Sequence, residues 1–589
     1  MSLGTLSAEY LFHQGTNCRV YEYLGCHYDC GGYVFRVWAP HATRVYLVGD
    51  FCDWQNGLPM RLVTAGGVWE CKVFGKRIKS GDFYKFKIIS GDRTLYKADP
   101  YAFEAECPPL TASVVCDISY NWRDDGWLAY RQQNARSVAE QPMNVYELHL
   151  GTWRVREDGS TMSFSEVAVE LAPYVKQMGY THVQILPVWE CIKDGSLGYA
   201  PSSYFAPSAL QGGGAELKAF VDRMHEAGIG VILDWSPMMP DCSESGICRF
   251  DGQPLYERAD GSAKLDTSKR EVRSFLLSNA SFWINEYHFD GLCAESIDDS
   301  SFVELFMRTI KSQIPDVLLI AKNGDGRFDM TWNKRWSVVA LKMLGDENFN
   351  AQNEIASLGV LAGRNMLALS YEALCGEGNT IMEKAEGKYS EKFDRVRALL
   401  GFMMTFPGKK LTFMSNEIGQ FKKWNGQDSV EWFLLEYETH AKIQRYAAEL
   451  GQFYLQTPAL WQTDGSWEGY EPLENTNKEQ GIISYRRKDR SGGEVIVIIN
   501  LANRTYENFR LGVPYQATYR EIINSDDKRY GGSGVVNTDD IASQRIAWNW
   551  QENSITVRVP PLAVSILKCV GKTQSKRKTS KASKTKIIK

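Results

Sequence analysis

The sequence predicts a multidomain protein in which a (β/α)8 barrel, a TIM barrel, is flanked by N-terminal and C-terminal all-β sandwiches. The first and last folded parts of the chain contain short strand-like runs separated by turn residues. The central part instead alternates apolar strand-like runs with amphipathic helical ones. The chain has 589 residues, of which 44% are hydrophobic, and this is sufficient for several buried cores.

The predicted domains follow one another along the chain. We expect an N-terminal extension over residues 1–31, a β-sandwich over 32–120, a polar linker over 121–142, the barrel over 143–456, a second β-sandwich over 457–570 and a basic tail over 571–589. The first sandwich rests on runs such as YVFRVWAP and RVYLVGDF. The tail contains Lys, Ser and Thr without an acidic residue, a composition typical of disordered segments.

The barrel prediction rests on seven strand-like runs and one weakly marked run, interleaved with helical segments. In one helical segment the apolar residues recur at the i, i+3, i+4, i+7 spacing, at Leu217, Phe220, Val221 and Met224, and Gly228 is predicted to end it. Strands that are apolar throughout indicate a parallel sheet buried on both faces. A doubly wound sheet is disfavoured because no G-x-G-x-x-G motif follows any strand.

Charge and cysteine content exclude several classes of function. The net charge is only -4, so we expect neither a nucleic acid nor a membrane surface as partner. The N-terminus lacks a secretory signal pattern and no apolar run approaches about 18 residues, so the cytoplasm is the expected compartment. The thirteen cysteines contain no C-x-x-C pair, which predicts no metal site, no cofactor and reduced thiols, with Cys26 and Cys30 as the one close pair.

Charged residues at the ends of the predicted barrel strands form the candidate site. The active site of a TIM barrel lies at the C-terminal ends of its strands. The residues in this position are Asp234, Met239, Glu295, Lys322, Glu372 and Glu417. Several carboxylates on one rim suggest a glycosidase-like site, because retaining sugar chemistry uses two carboxyl groups about 5 to 5.5 Å apart. The alternative is that these polar ends only solvate the rim.

Several longer motifs give the chain a family resemblance. They are VYELHLGTWR, GYAPSSYFAPS, GIGVILDWSP, FDGQPLYER, KREVRSFLLSNASFWINEYHFDGL and FPGKKLTFMSNEIGQFKKWN, with GDFCDW and KADPYA nearer the N-terminus. On these motifs the chain resembles the α-1,4-glucan (glycogen) branching enzymes of glycoside hydrolase family 13. The resemblance implies a first sandwich like carbohydrate-binding module family 48, a catalytic barrel and an α-glucan such as glycogen as partner.

The resemblance also implies where the catalytic roles of the family fall, and the residue types there differ. The nucleophile, acid/base and transition-state-stabilising positions fall on Glu295, Lys322 and Glu372, where the family has Asp, Glu and Asp. A family arginine and two family histidines are replaced at neighbouring positions, which are Cys293, Met239 and Tyr371. The glucan-binding positions implied by the resemblance are Tyr199, Asp234, Trp332, Glu417, Trp424 and Asn425. Simple core packing is the alternative for the tryptophans.

These substitutions predict a loss of branching activity. A lysine with an ordinary pKa of about 10.4 is a poor proton donor at neutral pH, and its charge opposes a cationic transition state. The extra methylene of Glu295 displaces its carboxylate from the place of an aspartate by about 1 Å, which can cost about a hundredfold in rate. After DGLCAESIDD the chain also enters its next helix directly, where the family has a long insertion.

Three interpretations remain open from the sequence. The first is an α-glucan-binding or regulatory pseudoenzyme, with an active enzyme of glycogen metabolism as a further candidate partner. The second is an active transglycosylase with an altered site, in which another acid such as Asp325 replaces the missing proton donor. The third is a non-catalytic scaffold that acts through its N-terminal module and basic tail.

Overall fold

The computed structural model describes residues 7–134, 139–192, 197–295, 297–323, 326–346, 349, 354–355, 358, 364–375, 380–473 and 481–572. Its central part is a closed barrel of eight parallel strands, preceded and followed by antiparallel sheets. The predicted fold class is therefore confirmed. Nearly all of the predicted basic tail, residues 573–589, lies outside the described residues.

The N-terminal region consists of two antiparallel sheets. Its strands are β1 (Gly25–Asp29), β2 (Gly32–Trp38), β3 (Arg44–Gly49), β4 (Leu58–Pro59), β5 (Arg61–Leu62), β6 (Val68–Phe74), β7 (Phe83–Ser90), β8 (Arg93–Lys97) and β9 (Ser113–Val114). One sheet has the order β1-β2-β6-β5 and the other β4-β3-β7-β8, with β9 on β7. Strand β1 corrects the predicted extension over 1–31, because it pairs with β2 in a hairpin. Only the first of its five residues is buried, so the sequence GCHYD lacks the apolar pattern of a strand.

The predicted linker over 121–142 is partly helical. Helix α1 (Ala8–Gln14) comes first in the chain, and α2 (Asp125–Asn134) lies inside the linker range. Helix α2 is held on the N-terminal end of the barrel by polar contacts. Trp127 Nε1 donates to Asp290 Oδ1 at 2.8 Å, and Arg131 donates to the same oxygen at 3.1 Å and to Asp316 at 2.7 Å. The polar residues that suggested a linker belong to the solvent-facing side of α2 and to these contacts with the barrel.

The barrel strands are short and almost entirely buried. In chain order they and one inserted hairpin are β10 (Asn144–Leu148), β11 (His182–Ile185), β12 (Trp189–Glu190), β13 (Ser203–Pro207), β14 (Gly230–Trp235), β15 (Gly291–Ala294), β16 (Leu318–Ala321), β17 (Met330–Trp332), β18 (Asn365–Leu369) and β19 (Lys409–Phe413). Strands β12 and β13 pair separately, and the other eight close the barrel. Strand β17 is the weakly marked one.

Helices surround the barrel and contribute apolar residues to the core. They are α3 (Leu150–Trp153), α4 (Phe164–Gln177), α5 (Gly213–Glu226), α6 (Arg270–Tyr287), α7 (Ser300–Gln313), α8 (Lys334–Gly345), α9 (Tyr371–Cys375), α10 (Ile381–Lys384), α11 (Tyr389–Thr405) and α12 (Glu438–Gln456). The predicted stripe of α5 is fully buried, at Leu217, Phe220, Val221 and Met224. Gly228 follows this helix with φ +76, a conformation that favours glycine.

The interior of the barrel is a packed core and not a pore. Side chains from its strands and their flanks form one apolar cluster, which contains Met143, Val145, Ile232, Cys293, Leu318, Ile320, Met330, Trp332, Met366, Ala368 and Leu411. Such layers of apolar side chains are usual in TIM barrels, and they confine polar chemistry to the two ends of the strands.

The C-terminal region is again all-β. Its strands are β20 (Tyr470–Pro472), β21 (Ile482–Lys488), β22 (Glu494–Asn500), β23 (Tyr506–Val513), β24 (Ala517–Asn524), β25 (Ile541–Ala542), β26 (Asn553–Val559) and β27 (Ala563–Lys572). A six-stranded sheet has the order β20-β21-β22-β27-β24-β25, and β23 pairs with β26. A separate apolar cluster between these strands forms the core of this region.

One cysteine pair corrects the expectation of reduced thiols. Cys242 and Cys248 form a disulfide in the loop after β14, whereas Cys26 and Cys30 are free. Lys97 of the N-terminal region donates to the Cys248 carbonyl at 3.0 Å, so this loop also joins the barrel to the first sheets. None of the described helices is both long and apolar enough to span a membrane.

Candidate active site

A buried lysine lies at the centre of the C-terminal rim of the barrel. Lys322 directly follows β16, and its ammonium donates to Asp234 Oδ2 at 2.7 Å and to Glu372 Oε1. The lysine side chain is only 2% exposed and Asp234 is fully buried, whereas Glu372 is 48% exposed. Three residues from β14, β16 and the start of α9, far apart in the sequence, therefore share one ionic contact.

Asp234 is the best-satisfied member of this group. Its Oδ2 also accepts a hydrogen bond from the Tyr199 hydroxyl at 2.6 Å, and its Oδ1 accepts from the Ser236 hydroxyl at 3.1 Å. The Lys322 ammonium lies 5.3 Å from the ring centroids of both Tyr199 and Trp332, within the range of cation–π attraction. Two rings and two carboxylates therefore surround one charge.

This environment keeps Lys322 charged. Burial by itself would lower the pKa of Lys322, but the negative charges of Asp234 and Glu372 outweigh burial and raise that pKa well above its ordinary value. A group whose pKa is raised in this way holds its proton at neutral pH. The ammonium is therefore a fixed positive charge in the site and not a proton donor.

Glu295 lies at the same rim, directly after β15. Its side chain is exposed, and the segment 295–299 joins it to the start of α7 at Ser300. Partial burial, together with the charges of Asp234 and Glu372, raises the pKa of Glu295, although Lys322 opposes the rise. The structure thus brings Glu295 into the electrostatic neighbourhood of the lysine group.

The three neighbouring positions, Cys293, Met239 and Tyr371, lie in three different environments. Cys293 is fully buried in the barrel core, and burial holds the pKa of its thiol well above the ordinary value. Met239 is 40% exposed in the loop after β14. The Tyr371 ring packs edge-on against Trp424 at a centroid distance of 5.1 Å, and its backbone N–H donates to Glu147 Oε2 at 2.6 Å.

Glu147 is a site residue that the sequence analysis missed. It lies in β10 and is almost fully buried, with Gln184 Nε2 at 3.4 Å from its Oε1 as a second partner. Burial raises the pKa of Glu147 to about 8, against a lowering by the Tyr371 backbone N–H and by Lys322. This carboxyl is therefore mostly protonated at neutral pH. An acidic residue in an otherwise apolar strand, NVYEL, was the available signal.

Three predicted glucan-binding residues lie apart from the lysine group. Glu417 is buried behind the barrel wall, where its Oε1 accepts hydrogen bonds from Tyr146 and Tyr174, both at 2.7 Å. Trp424 is buried and donates to Thr152. The exposed Asn425 side chain closes a local turn through the backbone N–H groups of residues 427 and 428. That these three residues bind glucan stays a prediction.

Carboxylates and one cation are the charged groups that the described part of the chain brings together at this rim. Within the described residues, no group of His, Cys, Asp and Glu side chains has the arrangement to hold a metal ion. Asp325, the predicted alternative acid, lies outside the described residues. The site contains a protonated carboxyl at Glu147, an exposed carboxyl at Glu295 and the bound cation Lys322. Raised pKa values of carboxyl groups in one cleft are typical of functional sites.

Comparisons with known families match both all-β regions. The family described as carbohydrate-binding module 48 (isoamylase N-terminal domain) matches residues 23–102. The family described as the alpha amylase C-terminal all-beta domain matches residues 473–570. The first match begins before β1, in agreement with the hairpin of β1 and β2.

Whole-chain comparisons find curated relatives of one kind. The chain is 35% identical to the 1,4-alpha-glucan branching enzyme GlgB of Desulfitobacterium hafniense, over 95% of this chain and 97% of that protein. It is 36% identical to the enzyme of the same name from Aquifex aeolicus, over 95% of this chain and 98% of the relative. A relative of the same name from Bacillus cereus is 35% identical, over 98% of this chain and 96% of that protein.

Solved structures share the fold at lower identity. A pullulanase from Paenibacillus barengoltzii, in complex with maltohexaose and alpha-cyclodextrin, has a TM-score of 0.72 and 16% identity, covering 97% of this chain and 98% of that one. Pullulanase type I from Bacillus subtilis, complexed with maltose, has a TM-score of 0.71 and 18% identity, covering 93% and 85%. At this identity the likeness supports the fold alone.

Proposed function

The chain belongs to the family of 1,4-α-glucan branching enzymes, in glycoside hydrolase family 13, and from this membership we propose that it binds α-glucan without branching it. In this proposal it is a glucan-binding or regulatory member of glycogen metabolism, with an active enzyme of that metabolism as a partner. The expected compartment is the cytoplasm. Lys322, Glu295 and Glu372 then occupy the acid/base, nucleophile and stabiliser positions.

The single observation that carries the proposal is the contact of the Lys322 ammonium with Asp234 and Glu372. Glycosyl transfer needs a proton donor at the acid/base position, and a lysine whose pKa is raised does not supply one. The same ammonium neutralises the carboxylate that would stabilise a cationic transition state. One side chain thus removes one catalytic role and masks another.

The neighbours of Glu295 support the same conclusion. The family pattern has an arginine two positions before the nucleophile, a side chain that can hold a carboxylate bidentately, whereas this chain has Cys293, a neutral thiol inside the barrel core. Glu295 itself is exposed to water. A longer, exposed carboxylate without that arginine lacks the preorganisation on which covalent catalysis depends.

Glucan binding is proposed to survive outside these three positions. The range 23–102 resembles a carbohydrate-binding module, and relatives of similar length are named as glucan-branching enzymes. At the rim, the half-buried Tyr199 offers an aromatic ring of the kind that sugars contact, whereas Asp234 and Trp332 are buried and hold the Lys322 ammonium behind it. We propose Tyr199 as the glucan contact at the rim in preference to the buried Asp234, Trp332 and Glu417.

The test is an assay of branching with amylose, followed by iodine absorbance and by the chain-length distribution of the product. We expect no change that depends on the protein. Affinity electrophoresis in gels containing glycogen then measures binding, and we expect retarded migration. Branching by the wild-type protein would refute the loss of activity, and unchanged mobility would favour the scaffold interpretation over glucan binding.

A reversal variant tests whether Lys322 is the only defect. We expect Lys322→Glu to remain inactive, because Glu295, Cys293 and the short segment 295–299 are unchanged. Lys334 is exposed, and Lys334→Glu is the matched control because it makes the same change of charge at the surface. Robust branching by Lys322→Glu alone would mean that the remainder of the site is intact.

A second candidate function, an active transglycosylase with an altered site, is favoured by Glu147. This buried carboxyl has a pKa raised to about 8 and is thus protonated at neutral pH, as a general acid must be. Glu295 would then be the nucleophile. If this candidate is correct, wild-type protein branches amylose and Glu147→Gln does not. Absence of wild-type branching rejects it.

A further inference from the structure

A two-residue turn in the C-terminal region holds a tryptophan almost entirely in solvent. Trp548 and Gln551 exchange both backbone hydrogen bonds at 2.9 Å, so Asn549 and Trp550 are the two central residues of a tight hairpin. Trp550 is 92% exposed, and Trp548 and Ile546 are each 46% exposed. This hairpin, residues 546–551, follows β25 and precedes β26.

The turn has a backbone that disfavours a tryptophan. Asn549 has φ 49 and Trp550 has φ 62, both in the left-handed region, as in a type I′ turn. Such turns prefer Asn-Gly, because glycine alone adopts positive φ without steric cost. Asn549 fits this preference, whereas Trp550 occupies the glycine position. A bulky residue there costs stability and points to a role outside folding.

The hairpin is firmly anchored beneath its exposed indole. Asn549 Oδ1 accepts a hydrogen bond from the Gly512 backbone N–H at 3.1 Å, and Gln551 Nε2 donates to Glu471 at 3.3 Å. A Cβ atom at Gly512 would lie 2.1 Å from the Trp548 carbonyl oxygen, so the hairpin and β23 are in close backbone contact. The turn is thus held in place and not a loose loop.

The Trp550 indole is exposed on an anchored backbone and is therefore available to a ligand. A buried tryptophan would stabilise the fold, whereas Trp550 leaves nearly all of its apolar surface in water and gains little from packing. Side chains with few rotatable bonds lose little entropy when they bind. The partly exposed Trp548 and Ile546 extend the apolar surface beside it.

We propose that Trp550 is the platform of a second α-glucan site, on which the apolar C–H face of a glucose unit stacks. This inference rests on the proposed glucan binding of the chain. Glucan is uncharged and presents apolar C–H faces, which match the exposed face of an indole. The site lies in the C-terminal region and is separate from the residues of the barrel rim.

A second copy of the chain fits this surface poorly. One tryptophan side chain buries about 150–250 Å². A stable dimer needs about 800 Å² on each partner. A projecting hairpin tip with a single indole therefore supplies too little area for a dimer by itself, whereas one or two sugar units need no more than this.

The test uses Trp550→Gly, which places Asn-Gly in the turn. Because glycine relieves the backbone strain, the melting temperature should be unchanged or rise by up to about 3 °C, while the dissociation constant for glycogen should increase by about fivefold or more. Glycogen affinity gels measure binding, and thermal unfolding measures stability. Trp550→Tyr, which keeps an aromatic face, should bind within about threefold of wild type.

The outcomes separate this inference from the proposed function. Wild-type binding that Trp550→Gly leaves unchanged overturns the second site only, whereas wild-type protein that does not bind glycogen overturns both. A fall in melting temperature for Trp550→Gly would mean that the indole stabilises the fold, and would overturn the platform. Wild-type dimers that become monomers in Trp550→Gly, seen by sedimentation, would identify a copy interface instead.

Discussion

The stretch from Asp290 to Glu295 crosses the barrel along β15 and carries a carboxylate near each end. At the N-terminal end, Asp290 accepts hydrogen bonds from Trp127, Arg131, His225 and the backbone N–H of Val231, at 2.7 to 3.1 Å. Burial would raise the pKa of Asp290, but the neighbouring His225 and Arg131 outweigh it and hold that pKa well below its ordinary value.

The C-terminal end of the same strand has the opposite balance. Here one cation, Lys322, faces Asp234 and Glu372, and Glu295 adds a third carboxyl with an exposed side chain and a raised pKa. Burial, more than the neighbouring charges, raises the pKa of Glu147 to about 8 and leaves it mostly protonated at neutral pH.

The difference teaches which buried charges stabilise this protein. Acids whose pKa values are lowered by neighbouring cations stabilise the folded state. At the N-terminal end of the barrel, called the base below, they also join helix α2 to the barrel. Acids whose pKa values are raised oppose folding and are typical of sites kept for another purpose. The base is thus the stabilising end, and the rim keeps the character of a functional site.

Loss of Asp290 should have the largest effect. Asp290→Asn leaves the buried charges of His225 and Arg131 without their shared carboxylate, so we expect the free energy of unfolding to fall by about 3–5 kcal/mol. Urea denaturation measures the change. Asp298→Asn, at an exposed acid three residues beyond Glu295, is the control and should change stability by less than about 0.5 kcal/mol. Equal losses of stability in Asp290→Asn and Asp298→Asn would contradict the stabilising role of Asp290.

Alkaline pH should cause the second largest loss of folding stability, at the N-terminal end of the barrel. His225 is buried between Asp124 and Asp290, and despite burial these acids raise its pKa from 6.5 to about 9. Its contribution is therefore fully present below pH 6.5 and is lost as pH rises through 9, with a magnitude on the order of 3 kcal/mol.

Thermal unfolding between pH 6 and pH 10 measures this loss. Glu147, whose pKa is raised to about 8, also lowers stability as pH rises from about 4.5 through 8, so its titration must be separated. We expect His225→Gln to be less stable than wild type at pH 6, and its melting temperature to fall less steeply than that of wild type above pH 6. Glu147→Gln should keep the steep loss near pH 9. A wild-type profile that is flat above pH 7 would contradict the assignment to His225.

Removal of the rim cation should have the smallest effect of the three. In Lys322→Met, Asp234 keeps the hydroxyl donors of Tyr199 and Ser236, and Glu372 is half exposed to water. We therefore expect a loss of about 2 kcal/mol, less than for Asp290→Asn. The same denaturation experiment measures it, with the exposed Lys334→Met as control. A loss larger than that of Asp290→Asn would reverse the order of the two ends.

Much of the architecture could be predicted because it depends on local pattern. The apolar strands, the stripe on α5 and the positive φ of Gly228 follow from residue type and spacing. Strand β1 and helix α2 were missed, since neither has a clear periodic pattern in the sequence. The disulfide between Cys242 and Cys248 was missed because the path of a long loop decides it.

The site could be predicted only as a set of residues at strand ends. Strand order places Asp234, Glu295, Lys322 and Glu372 on one rim in any parallel barrel. Whether Glu417 joins them depends on which side of the wall its side chain points, and the hydroxyls of Tyr146 and Tyr174 hold it behind the barrel.

The sequence by itself determined the fold class, the family and the residue types at the catalytic positions, because periodicity and motifs are local properties of the chain. Only the tertiary structure decided that Lys322 pairs with Asp234 and Glu372, that Asp290 serves the base and that Trp550 stands in solvent. Closure of the barrel brings distant residues within hydrogen-bonding range. Burial then sets their charges, and neither closure nor burial is contained in a local pattern.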